Sequence, residues 1–242
     1  MAQLKAIIFD YYETLVELGG DIRERAFDQL ASDVGVDLPA GEAVRHWREL
    51  TTKDAVLRFG GNERPPLDGA PAPFVSFRDV WLARFRELFE HWSVDAPAEV
   101  GANAYRDLHA QADLYPDARP AVEMLAHAAG ARQLAVLSDT DHDFLDASLR
   151  RNGLQFDAVV SSEELRVYKP HVSIFHETCA RLGVAPEDAL YVGDSPWADV
   201  AGARNAGLRA VWLNRRNTAW PGDIEAPNET VSDVVGLLEL PP

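Results

Sequence analysis

Hydrophobic positions along this chain follow three successive rhythms. Residues 4–9, LKAIIF, form a short continuous apolar run that stops abruptly at Asp10. That is the pattern of a buried strand whose C-terminal end reaches a polar site. From about residue 15 to residue 109 the apolar positions recur at helical spacing, as in Phe27, Leu30 and Val34, and again in Trp81, Leu82, Phe85, Leu88 and Phe89. This predicts a mostly helical stretch, interrupted by a loop where GGNERPPLDGAPAP fills positions 60–73 with glycine and proline.

After Tyr115 and Pro116 strand and helix signals alternate. The spacing predicts helices over 120–129, 143–151, 172–182 and 199–206, strands over 133–137, 158–160, 189–192 and 210–213, and a final helix in ETVSDVVGLLEL. Repeated strand–helix units build a mostly parallel sheet covered by helices on both faces. The expected fold is therefore α/β, with a Rossmann-like three-layer core formed by 1–15 and 116–242 and a helical domain of 16–115 inserted after the first strand.

Composition narrows the function. A chain of 242 residues that is 47% hydrophobic is long enough for a sizeable core. No apolar run approaches the length of a membrane span, and the N-terminus reads as a strand, not a signal, so no membrane partner is expected. A formal net charge of -16 argues against nucleic acid as a partner. The single cysteine, Cys179, rules out a disulfide framework within the chain and fits a reducing cytoplasm.

In a parallel open sheet the strand C-terminal ends share one edge, where ligands collect. Four presumptive strand ends carry polar groups: Asp10 after AIIF, Ser138 and Asp139 after LAVL, Lys169 after EELRVY, and Asp194 with Asp199 after ALYV. One such residue alone is more often a cap or turn former. Taken singly, Lys169 would be a solvated lysine and Asp199 a helix cap, whereas Gly193 lets the backbone turn sharply. The order and spacing of the whole set carry more.

FDYYETL, LSD, the lysine of VYKP and GDSPWAD, followed by VAGARNAGLRAVWLNR, together resemble the haloacid dehalogenase superfamily of aspartate-nucleophile hydrolases over nearly the whole chain. The resemblance implies a helical cap over the site and a covalent aspartyl intermediate. It makes Asp10 the nucleophile, which splits one difficult displacement into two steps. Ser138 would hydrogen-bond the transferring group, with Asp139 and Thr14 beside it in the substrate-binding set, and Lys169 would neutralise nucleophile and substrate together. Asp10, Asp194, Asp199 and the backbone carbonyl of Tyr12 would hold Mg²⁺.

Two features are similar to the superfamily's dehalogenases and two count against them. Most of the phosphatases carry a second acid two residues after the nucleophile, and here that residue is Tyr12, a poor base at neutral pH. A tyrosine at that position is similar to the L-2-haloacid dehalogenases, whose halide leaving group needs no proton. HWR at 46–48 resembles their halide-binding segment and makes Arg48 a substrate-binding candidate. Against this stand Asp194, where the metal-independent dehalogenases carry a small polar residue, and Phe175, where they carry a tyrosine.

The leading expectation is Mg²⁺-dependent hydrolysis of a small phosphorylated metabolite. The alternatives are a metal-independent 2-haloacid dehalogenase and a catalytically weak member that binds a ligand or partner. Substrate choice is expected to lie in the cap, where Trp47, Arg48, Phe59, Trp81 and Arg84 are pocket or core residues, and the assembly is expected to be a monomer or homodimer.

Overall fold

A computed structural model of the chain describes residues 4–49, 58, 64–127 and 132–240; Phe59 lies outside them. Six parallel strands run in the order β3-β2-β1-β4-β5-β6: β1 (Ala6–Phe9), β2 (Gln133–Ser138), β3 (Ala158–Ser161), β4 (Ala189–Gly193), β5 (Arg209–Leu213) and β6 (Glu229–Val231). β1 is central, with Ile8 opposite Ala135 of β2 and Tyr191 of β4. From β1 the chain proceeds outward through β2 and β3 and then returns to the other side with β4, so the connection order reverses at the β1/β4 boundary. Ligands collect in the crevice at such a reversal.

Alternation within each strand sorts the core into two layers. Ile7, Phe9, Leu134, Val136, Leu190 and Val192 face one side, under α5 (Ala118–His127) and α6 (His142–Asn152). Ala6, Ile8, Ala135, Leu137 and Tyr191 face the other, under α7 (Val172–Leu182), whose Cys179 is buried there. Both faces are covered, which is why these strands read as continuous apolar runs.

Between β1 and β2 lies the helical cap: α1 (Gly20–Asp33), α2 (Glu42–Glu49), α3 (Phe77–His91) and α4 (Ala98–Ala110). Its own core is rich in rings, with Phe27, Trp47, Trp81, Phe85 and Tyr105 packed together. Trp47 and Trp81 are thus core residues. So is Arg84, whose guanidinium lies 3.5 Å from the centre of the Trp47 ring and donates to the Trp47 carbonyl at 3.0 Å. Gly101 lets α4 approach α3, since a Cβ there would sit 2.2 Å from the Phe85 ring.

Core and cap are joined by two crossings that pair with each other. Val16 bridges Leu114 in antiparallel fashion, and Leu15 and Asp113 supply flanking carbonyls to Tyr115 and Glu17. A third tie is a segment of the insertion laid across the core. Trp197 donates to the Pro65 carbonyl, Val172 to Leu67, and the Tyr168 hydroxyl to Val75. The segment ends where Asp141 of the core accepts the amides of Phe77 and Arg78, both at 2.8 Å, and so caps α3.

Three expectations need correcting. Lys169 does not follow a strand: 162–165 is one helical turn, Arg166 leaves it in a left-handed conformation, and the lysine sits in the loop before α7. The expected 199–206 helix begins earlier and wider, as a π-type turn over Pro196–Ala201 with Ser195 as its cap, followed by one ordinary turn, Gly202–Asn205. The C-terminal residues give β6 and a short 3₁₀ turn, Val235–Glu239, instead of one helix. Among the described residues no helix is long and apolar enough to cross a membrane.

Candidate active site

Four polypeptide segments converge at the carboxyl edge of β1 and β4. β1 delivers Asp10, whose amide donates to the Val192 carbonyl at 2.8 Å, continuing the sheet ladder by one residue. β2 ends in Ser138, which is buried, and Asp139 follows it. The loop before α7 contributes Lys169, and β4 with its π-type turn contributes Asp194 and Asp199.

Lys169 is the hub. The residue is 4% exposed, and its ammonium donates to Asp10 Oδ1 at 2.7 Å, Asp199 Oδ1 at 2.6 Å and the Tyr191 hydroxyl at 2.9 Å. An ammonium has three protons, and here each has an acceptor. Burial alone would lower the Lys169 pKa, but the Asp10 and Asp199 carboxylates outweigh it and hold the ammonium well above its ordinary range. Burial, against the pull of Lys169, pushes the Asp10 carboxyl up to about 6. Asp139 braces the lysine from behind: its Oδ1 accepts the Lys169 backbone N–H at 3.0 Å, and its Oδ2 meets Arg58 of the cap at 3.3 Å.

Asp199 reaches the site because the wide turn folds its side chain back over β4. Its Oδ2 accepts the Ser195 amide at 2.8 Å, and its carboxyl lies against Gly193, where a Cβ would come within 2.4 Å. Gly193 is thus required for close approach, and its φ is not in the left-handed region. Asp199 is neither the cap nor the first residue of this turn.

Carboxylate oxygens of Asp10, Asp194 and Asp199 lie within 4.8 Å of one another. Lys169 pairs with two of them, and among the described residues nothing hydrogen-bonds or ion-pairs with the Asp194 carboxylate. Burial first, then the Asp199 and Asp10 charges, hold Asp194 well above the usual carboxylate range. Three clustered carboxylates served by one ammonium suit a hard, oxygen-loving divalent cation. The Tyr12 carbonyl, beside Asp10 in sequence, takes no hydrogen bond from any described donor, so it fits the same donor set.

The remaining sequence candidates separate. The Tyr12 ring stands between core and cap, 5.1 Å from the rings of both Tyr11 and His109. Burial and then the neighbouring Tyr11 push its phenol well above its ordinary range, so it stays protonated. Thr14 is fully buried, its Oγ1 without a partner among the described residues. Arg48 lies on the exposed face of α2 and is not brought to the cluster by any described hydrogen bond or ion pair. The cap arginine that reaches the site is Arg58, held 3.9 Å from the Tyr168 ring centre and 4.5 Å from that of Phe77.

Besides Arg58, two participants escaped the sequence reading. Tyr191 sits inside an apolar strand and looks like core. Arg215 donates to the Thr14 carbonyl at 2.8 Å and pairs with Asp117, fastening the turn after the nucleophile from β5's far end. Nothing in ALYVG or NRR separates these residues from structural ones.

Comparison with known proteins agrees with this geometry. The profile of a hydrolase family described as haloacid dehalogenase-like hydrolase matches residues 4–207. (S)-2-haloacid dehalogenase 4A of Burkholderia cepacia is 34% identical over 215 residues, 88% of this chain and 84% of that one. Phosphoserine phosphatase of Thermus thermophilus is 36% identical over 168 residues, 64% of each chain. Among solved structures, the magnesium-bound HAD-hydrolase YfnB of Bacillus subtilis superposes with a TM-score of 0.79 at 19% identity, covering 98% of both chains, a likeness of fold.

Proposed function

This chain belongs to the haloacid dehalogenase-like hydrolase family, with an aspartate as its nucleophile, and from that premise we propose that it is a Mg²⁺-dependent hydrolase of a small phosphorylated metabolite. The observation that carries this reading is the Asp194 carboxylate, unpaired among the described residues, beside Asp10 and Asp199. A third, half-buried acid next to a nucleophile repels it, and a cation between them turns that repulsion into binding.

In this reading an Asp10 oxygen attacks phosphorus, the P–O bond to the leaving group breaks, and water then cleaves the aspartyl phosphate. Lys169 lets two anions meet by offsetting charge on both. Mg²⁺, held by Asp10, Asp194, Asp199 and the Tyr12 carbonyl, would supply further neutralisation of the phosphoryl oxygens. Ser138 and Thr14 offer hydroxyls to that group. Tyr12, kept protonated, cannot serve as a base, so the preferred substrates are those with good leaving groups, such as acyl or aryl phosphates.

Hydrolysis of p-nitrophenyl phosphate and acetyl phosphate, with Mg²⁺ and with EDTA, tests this. Turnover is expected only with Mg²⁺ and is expected to disappear in Asp10→Asn. The second reading, 2-haloacid dehalogenation, is favoured by Tyr12 and by the dehalogenase 4A relative. Chloride release from 2-chloropropionate in EDTA, lost in Asp10→Asn, would replace the first reading with the second.

A further inference from the structure

Ile8 and Tyr191 are register partners on adjacent parallel strands, so the period of two sends both side chains to the same face of the sheet. From that face the Tyr191 phenol reaches the carboxyl edge, where it meets Lys169 Nζ at 2.9 Å, Asp199 Oδ1 at 3.1 Å and the Leu137 carbonyl at 3.2 Å. Its ring is wedged edge-on against Phe175 of α7, with centroids 5.1 Å apart, and Phe175 in turn packs on Gly202 so closely that a Cβ there would lie 2.7 Å from the ring. The hydroxyl is therefore held from below by fully buried, mutually locked groups.

We propose that Tyr191 is a positioning residue that fixes the Lys169 ammonium midway between the nucleophile Asp10 and the neighbouring acid Asp199. Lys169 has two anionic acceptors of nearly equal length, and its third proton must go to a neutral acceptor or remain unsatisfied in a buried site. The phenol oxygen accepts that third hydrogen bond and donates its own to Asp199 or the Leu137 carbonyl. Two fixed anions and one fixed neutral oxygen define a single place for Nζ. With the hydroxyl removed, the ammonium gains by turning its spare proton toward the bare pair of acids, and its distance to Asp10 is no longer set.

The proposal needs Asp10 and Lys169 as they stand and does not depend on whether phosphorus or carbon is attacked. The test is Tyr191→Phe in the full chain, which keeps the ring and removes one oxygen. Two readings are taken: the Lys169 ammonium resonance in ¹⁵N-lysine-labelled protein without substrate, assigned with Lys169→Arg, and steady-state kinetics on p-nitrophenyl phosphate with Mg²⁺ and on 2-chloropropionate.

The expected result is faster exchange of the Lys169 ammonium protons with water by about tenfold or more, with kcat lower by about 10- to 100-fold and KM within about twofold. Native exchange and kcat in a folded variant would overturn the proposal and leave Tyr191 as packing alone. The ammonium reading stands without turnover, so a native chain inactive on both substrates would count against the functional reading while the resonance still decides this one. A change in melting temperature with unaltered ammonium exchange also overturns it.

Discussion

Asp199 occupies the space that any side chain at Gly193 would need. Gly193→Ala is expected to push the Asp199 carboxyl away from Lys169 and to destabilise the chain by about 1–3 kcal/mol, as overpacking does. Denaturant melts would measure the stability loss, and turnover should fall with it. At this scale a polar residue that ends an apolar run is ambiguous alone, because caps and turns use the same residues. Asp10 and Asp194 were legible because Ser138, Lys169 and Asp199 accompany them in a recognisable order and spacing. Tyr191 was not, since a tyrosine within a buried strand is ordinary core and only its partners reveal it. Arg58 and Arg48 show the same limit on a helical domain. Which cap arginine reaches the core is set by tertiary packing, and the HWR resemblance pointed to Arg48, which the fold leaves exposed.

At the scale of elements, the contact between Asp141 and the first turn of α3 is the clearest joint between core and cap. Burial, opposed by the two amides and reinforced by Glu163 and Asp143, pushes this carboxyl up to about 6. The folded chain therefore holds the proton more tightly than an exposed aspartate, whose pKa is about 3.9. Ionisation then works against folding, so the group's contribution is most favourable below about pH 4 and falls until about pH 6. Compared with Asp141→Asn, the native melting temperature is expected to lose ground across that window and to hold a constant difference above it. A difference that grows with pH would mean that the two amides outweigh burial. Element by element, strands and long helices were legible from periodicity, since both faces of the sheet are covered and each apolar run is continuous. The π-type turn and the Lys169 loop were not, because their shapes are set by what they must reach and not by local preference. The C-terminal residues were misread for a related reason: Val231 pairs along an existing strand edge, and tertiary pairing overrides a helical pattern.

For the whole molecule, the carboxylate cluster predicts a stability that depends on metal. If Mg²⁺ binds the folded chain alone, a concentration 100 times its Kd adds about 2.7 kcal/mol, visible as a rise in melting temperature that EDTA reverses. Asp194→Asn should abolish that rise, whatever substrate the enzyme takes; an equal rise in the variant would place the cation elsewhere. Most of the acidic surface plays no part in this, since the effect belongs to three buried or half-buried groups.

The position of β1 has one more consequence. Its neighbours in the sheet are residues 133–136 and 189–192, so the strand that carries the nucleophile has no local partner. On the ribosome, residues 6–9 emerge well before the strands they pair with and cannot complete their pairing until 189–192 have followed, while the ring-rich cap has contacts that are nearer in sequence. Asp10, the earliest residue of the site to be translated, thus stands at the end of a strand that is among the last to gain its partners.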